Sequence, residues 1–378
     1  MIYLDYNATT PVDDRVIAEM LPFFSKTFAN AASSHEMGRA ASKAVDGARS
    51  KIAELIGVQR GELYFTSGAT EANNLALRGL LQTALKSRPR LLVGATEHRA
   101  VLDTAHALRD AGVQVDEVPV GSDGLVDEEA YVGMLDEGVG LVSIMWANNE
   151  TGVIAPIARL AELAHDAGAL FHTDATQAVG KVPIDLTTAT VDLASLSAHK
   201  IYGPKGVGAL FARHGVNLET QISGGGHERG LRSGTLNVPG IVGFGTAAAL
   251  SIDCLASERS RLEVLSAHLV EALRENINDV RVIAEDSPRL PNTVNIRMLG
   301  ADSEAVMANT PRLAISSGSA CTALVPEASH VLLAMGLRPE QAEECLRFSL
   351  GRPTTIDEID AAVRHVTEAV RHVRLLTA

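Results

Sequence analysis

Aromatic and sulfur-bearing residues are scarce in this chain of 378 residues: Phe, Trp and Tyr make up 4%, and there are three cysteines, Cys254, Cys321 and Cys345. So few rings argue against stacking on single-stranded nucleic acid as a main activity. No Cys-x-x-Cys pair occurs, and an odd number of thiols does not make a disulfide framework. Basic residues are outnumbered, 33 Lys+Arg against 46 Asp+Glu, for a formal charge of −13. Such a chain has no general attraction for phosphate backbones, so no direct nucleic-acid partner is expected. The N-terminus opens on Met1-Ile2-Tyr3-Leu4-Asp5, without the basic-then-apolar pattern of a secretory signal. The uncharged stretch Leu236 to Ile252 contains Pro239 and several glycines and falls short of a membrane span. A soluble cytoplasmic protein with no membrane partner is the expectation. What is present is an ordinary globular balance, 46% apolar and 21% charged, with 32 glycines. The length predicts two domains, or one large domain with an appendage.

The first two-thirds alternates helical and strand patterns. Ala41, Val45, Ala48, Ile52 and Leu55 mark one face of a helix between Gly38 and Gly57. Strands are predicted at Glu62 to Thr66, Arg90 to Gly94, Val113 to Val118, Val139 to Trp146, Ala169 to Thr173 and Val191 to Ser197. Helices are predicted from Glu71 to about Leu85 with Thr70 as N-cap, from Ala100 to Asp110, and from Pro156 to Gly168. This alternation implies an α/β fold with a mostly parallel sheet. Ligands then bind beyond the carboxyl ends of the strands, where Thr70, His98, Asn149, Asp174 and Lys200 fall. A long helix is predicted from Val238 to about Ile277. Beyond it, Thr293 to Arg297 reads as a half-exposed strand, Leu346 to Leu350 as another, and Thr355 to Leu375 as a terminal helix. That final third reads as a smaller α+β domain.

Five pieces carry chemistry. Ser67-Gly68-Ala69-Thr70-Glu71 is a strand–turn–helix that is either an anion site or a capped helix end. Asp174 and Lys200 each end a buried strand; they either form a structural ion pair or serve a cationic ring and Schiff-base chemistry. His98 is either a hydrogen-bonded loop residue or an acid/base group able to stack on a flat cofactor. Ser316-Ser317-Gly318-Ser319-Ala320-Cys321-Thr322 sets a thiol among small polar residues, which favours a reactive, exposed Cys321. Cys254 falls in an apolar helical pattern, and the charges of Glu343 and Glu344 disfavour a Cys345 thiolate. Gly224-Gly225-Gly226-His227-Glu228-Arg229-Gly230, leading to Thr235, is either a bare linker or a tightly turned phosphate-facing segment.

In this order the pieces resemble the cysteine desulfurases, class V aminotransferases that depend on pyridoxal 5'-phosphate (PLP). The resemblance runs from Tyr3-Leu4-Asp5-Tyr6-Asn7-Ala8-Thr9-Thr10-Pro11 to Arg347-Phe348-Ser349-Leu350-Gly351-Arg352, and the Ser-Ser-Gly-Ser-Ala-Cys form resembles the group with a long cysteine loop. It implies the fold type I of PLP-dependent transferases. A large domain of residues 12–255 would hold a mostly parallel seven-stranded sheet, and residues 1–11 and 256–378 a smaller α+β domain. It also implies a homodimer that takes L-cysteine to L-alanine. Sulfur would pass to Cys321 as a persulfide and then to an acceptor protein, for iron–sulfur assembly, tRNA thiolation or DNA phosphorothioation. By the same resemblance Lys200 binds PLP covalently and moves the Cα proton. Asp174 partners the ring nitrogen, Gln177 donates to the ring hydroxyl oxygen, and His98 is the catalytic acid/base group that stacks on the ring. Ala69, Thr70, Ser197 and His199 hold the phosphate, with Thr235 supplied by the other subunit. Asn149, which also contacts the cofactor, and Arg347 hold the substrate carboxylate. Ala31 and Ala328 stand where family members often carry proline. The sequence stops at Ala378, where housekeeping members usually continue into a tail that docks an iron–sulfur scaffold protein. A selenocysteine lyase, another class V lyase and a non-catalytic sulfur relay are the competing readings.

Overall fold

The computed structural model describes residues 1–317 and 328–377. Seven strands form the main sheet: β1 (Leu63–Thr66), β2 (Arg90–Gly94), β3 (Gln114–Val118), β4 (Val139–Ser143), β5 (Leu170–Asp174), β6 (Leu193–Ser197) and β7 (Gly208–Ala212). Their order is β1-β7-β6-β5-β4-β2-β3, and only β7 runs against its neighbours. The predicted mostly parallel α/β sheet is therefore present. Its strands read as continuous apolar runs because helices cover both faces. The period of two divides neighbouring residues between two cores. Leu92, Ala194 and Phe211 pack with helices Glu36–Leu55, Ile157–Asp166 and Val238–Asn276, while Leu91, Leu193 and Leu210 pack with helices Ala69–Gly79 and Arg99–Asp110.

A third core surrounds an antiparallel three-stranded sheet of β8 (Val280–Val282), β9 (Thr293–Met298) and β10 (Cys345–Ser349), with β9 central. Helix Val238–Asn276 joins the two parts: Val238 to Ala248 pack in the first core, Leu262 to Leu273 in the third. By length and composition this helix could cross a membrane, contrary to the expectation for Leu236 to Ile252; its burial in two cores explains the apolarity instead. The N-terminal pair Ile2–Tyr3 lies parallel to Leu313–Ala314.

Three local expectations need correction. Strand β9 is buried on both faces, not half-exposed: the Thr293 hydroxyl accepts a hydrogen bond from Asn7, and Asn295 donates to the Glu150 carbonyl. The helix expected from Glu71 to Leu85 ends at Gly79, with a separate turn at Ala84–Ser87. Its N-cap is Gly68 rather than Thr70, and no side chain caps it. The first-turn N–H groups are thus left for another acceptor.

Candidate active site

The carboxyl ends of β1, β2, β4, β5 and β6 open on one cavity of about 560 Å³. Ala69, Thr70, His98, Asn149, Asp174, Gln177, Ser197, His199, Lys200 and Arg347 all line it. Residues far apart in the chain meet because parallel strands present all their following loops at one edge. Thr235 does not line the cavity and is exposed. Cys321 lies outside the described residues.

Asp174 ends β5, is 5% exposed, and makes no ion pair with Lys200 or any other described cation. The expected Asp174–Lys200 alternative is thus not formed. Instead Oδ2 accepts from Asn73 Nδ2 at 2.7 Å and Oδ1 from the Thr176 N–H at 2.9 Å. Beneath it, His172 sits between Ser143 Oγ (2.8 Å) and Ser195 Oγ (3.0 Å), and burial holds its pKa down to about 4. A second carboxyl, Glu97, accepts from the Met145 N–H. Burial, reinforced by the Asp174 charge, holds its pKa well above the carboxylate range.

Ala69 and Thr70 begin the uncapped helix Ala69–Gly79, the same helix whose Asn73 donates to Asp174. The turn before it fits because Gly208 has no side chain; a Cβ there would lie 2.5 Å from the Leu196 carbonyl oxygen and 2.7 Å from Gly68. His199 Nδ1 lies 3.1 Å from Thr9 Oγ1. Burial, then the charges of Lys200, Lys205 and Lys181, hold the His199 pKa down to about 4. Neutral donors, a helix N-terminus and nearby lysines together suit a phosphate.

Lys200, which lines the same cavity, ends the turn Ala198–Lys200, and Nζ donates to the Asn7 carbonyl at 2.5 Å and the Ala8 carbonyl at 2.7 Å. His98 caps helix Arg99–Asp110, Nδ1 accepting from the Ala100 N–H at 3.1 Å. In the neutral ring this bond leaves the proton on Nε2. Arg347, from β10, donates to the Asn149 carbonyl at 3.0 Å and pairs with Asp5 at 2.6 Å, while its buried Nε has no partner among the described residues. Next to Asn149, Glu150 accepts from Ser329 Oγ at 2.5 Å, and burial raises its pKa to about 7.

The donor set fits PLP. An anchoring amine, a buried carboxylate without a cation among the described residues and an anion-binding helix end share one cavity, and the buried Thr176 hydroxyl there has no partner among the described residues. Several contributors carried no signal. Asn73 looks like an ordinary member of an apolar helix face. Asn7 is 1% exposed and links the N-terminal segment to both sheets, but its partners lie 142 to 342 residues away. The glycine segment is not a bare linker. Glu228 and Arg229 adopt positive φ, and Glu228 forms a buried ion pair with Arg49 at 2.7 Å and accepts from the Phe65 N–H.

The profile of the aminotransferase class-V family matches residues 2–362. The protein named cysteine desulfurase IscS from Anaeromyxobacter sp. (strain Fw109-5) is 48% identical over 99% of this chain and 93% of its own length. A solved NifS-like protein superposes with a TM-score of 0.91 at 37% identity, covering 98% of this chain and 99% of its own. A structure described as SspA in complex with cysteine gives a TM-score of 0.82 at 34% identity, covering 93% and 99%. The chain belongs to the aminotransferase class-V family and is one of its cysteine desulfurases.

Proposed function

We propose that this desulfurase holds PLP in the cavity and passes the sulfur of L-cysteine to Cys321. The observation that carries the reading is the pairing, in one cavity, of the buried and cation-free Asp174 with the uncapped start of helix Ala69–Gly79. Lys200 would bond to the cofactor aldehyde, Asp174 would meet the ring nitrogen, and His98 would cover the ring. Gln177 would donate to the ring oxygen, and Ala69, Thr70, Ser197 and His199 would hold the phosphate. When bound, PLP supplies an electron sink for charge left at the substrate Cα.

The side chains then have separable tasks. Arg347 and Asn149 bind the substrate carboxylate; a guanidinium presents a rigid fork of donors for it. Lys200 takes the Cα proton. The Cys321 thiolate attacks the substrate sulfur; the substrate C–S bond breaks as an S–S bond forms. Thiol and L-cysteine thereby become persulfide and L-alanine, with no external oxidant or reductant.

Thr235 fits a phosphate ligand given to a second copy, since it is exposed and set apart from its own cavity. Exposed Ile17, Leu21, Phe24, Phe28 and Met37 offer an apolar face for that homodimer. Residues 12–255 would form one unit, and residues 1–11 with 256–378 the other, a division that the separate cores favour. The net charge of −13 favours a protein as sulfur acceptor, which would in turn serve iron–sulfur assembly, tRNA thiolation or DNA phosphorothioation. The free thiols Cys254 and Cys345 suit a reducing, cytoplasmic setting.

The purified protein should show the visible band of bound PLP, and Lys200→Ala should lose it while remaining folded. Cys321→Ser should keep the cofactor and stop sulfur transfer; normal transfer by this variant refutes Cys321 as nucleophile. Persulfide-transfer assays with captured proteins identify the acceptor.

A further inference from the structure

Behind Gln177, outside the ring of cavity residues, lies an amine that the reaction above does not use. Lys181 Nζ donates to Gln177 Oε1 at 2.6 Å and to Asn7 Oδ1 at 3.0 Å. No carboxylate among the described residues lies within ion-pair distance of it. It faces a second, small cavity of about 30 Å³ between the two parts of the molecule. Burial of the amine, then the charges of Lys200 and Arg347, hold its pKa well below the lysine range.

These contacts settle which way the Gln177 amide points. An amide's oxygen and nitrogen are nearly the same size, so neighbours decide its orientation. On one side, Lys181 offers hydrogens and requires Oε1. On the other, the Asn7 carbonyl can only accept, and it takes a hydrogen from Gln177 Nε2 at 3.0 Å. Both neighbours demand the same orientation. The second Nε2 hydrogen has no acceptor among the described residues, and Gln177 lines the main cavity.

The Asn7 side chain is equally determined. Oδ1 accepts from Lys181 and from Asn292 Nδ2 at 3.2 Å, while Nδ2 donates to Thr293 Oγ1 at 2.9 Å and the Asn149 carbonyl at 3.1 Å. Lys181 thus holds both Gln177 and the segment whose carbonyls contact Lys200.

We propose that Lys181 is a positioning residue: it fixes the Gln177 amide so that one N–H faces the cavity and meets the ring oxygen of the cofactor. The proposal rests on the PLP reading above. Its test is a double-mutant cycle on PLP affinity, measured by equilibrium dialysis with folding checked by circular dichroism. Lys181→Met and Gln177→Leu should each weaken PLP binding about tenfold, the effect of one well-formed hydrogen bond. The double variant should be no weaker than either single one, because both changes remove the same contact. Multiplying effects, about a hundredfold in the double variant, would overturn the proposal, as would Lys181→Met binding PLP like wild type. If Lys181→Met fails to fold, Lys181→Leu and Lys181→Ala carry the same cycle. A wild-type protein that binds no PLP overturns the cofactor reading and this proposal together; a wild type that binds it, with multiplying variants, overturns this proposal alone.

Discussion

Cys345 and Glu150 show how burial outweighs neighbouring charge. The acidic neighbours of Cys345 argued against a thiolate, and the thiol pKa is indeed pushed up to about 12, but burial is the larger cause. Ellman's reagent should therefore count the same number of thiols in native wild type and native Cys345→Ser. After denaturation the variant should show one fewer. Glu150 is raised to about 7 from 4.5, again mainly by burial. A carboxyl with a raised folded-state pKa stabilises the fold most when protonated. That contribution is full below about pH 4.5 and is lost as pH rises through about 7. Glu150→Gln keeps an acceptor for Ser329 but cannot ionise. Its melting temperature relative to wild type should rise between pH 5 and pH 8, by the equivalent of roughly 3 kcal/mol if the whole shift is felt. A constant difference would show that Glu150 does not titrate in this range.

At the scale of elements, strand ends were the legible part of the site. A polar residue directly after an apolar run, as at Asp174 and Ser197, shows where a parallel strand stops and which edge it faces. Strand Gly208–Ala212 gave no such signal: it is short, follows a glycine-rich turn and runs against its neighbours. Its first residue nevertheless shapes the anion-binding wall. Gly208→Ala should push back the Gly68 turn and weaken PLP binding with little change in cysteine-independent properties such as secondary structure. The same applies to the segment around Glu228. Its glycines were visible, but its anchor, the buried Arg49–Glu228 pair, joins positions 179 residues apart. Glu228→Ala would leave the Arg49 guanidinium buried without its partner. Urea unfolding should show a loss of about 3–5 kcal/mol.

Across the whole molecule, the alternation of strands and helices made the α/β architecture legible, since the cores alternate with the same period as the sequence. The convergence on Asn7 was not, because an N-terminal asparagine gives no local sign that Lys181, Thr293 and Ser349 will close around it. The resemblance supplied the roles of His98, Gln177 and Arg347, which spacing alone left open. It did not supply Asn73, which donates to Asp174, or Lys181, which donates to Gln177. The exposed face with Phe24 and Phe28 belongs to this scale too. The proposed homodimer predicts that introducing Phe24→Glu and Phe28→Glu together shifts sedimentation from dimer to monomer, and a wild type that sediments as a monomer contradicts it. If Thr235 completes a partner's site, PLP affinity should fall in step.

The central claim is that sulfur leaves L-cysteine for Cys321 while the carbon skeleton leaves as alanine. One turnover of PLP-loaded protein, with no reductant or acceptor present, tests it most directly. L-alanine is quantified, and the protein is mapped by mass spectrometry. Alanine equal to the number of active sites, with one additional sulfur atom on Cys321, is the predicted result. Alanine formation without added sulfur on Cys321, or an unchanged yield in Cys321→Ser, would contradict it.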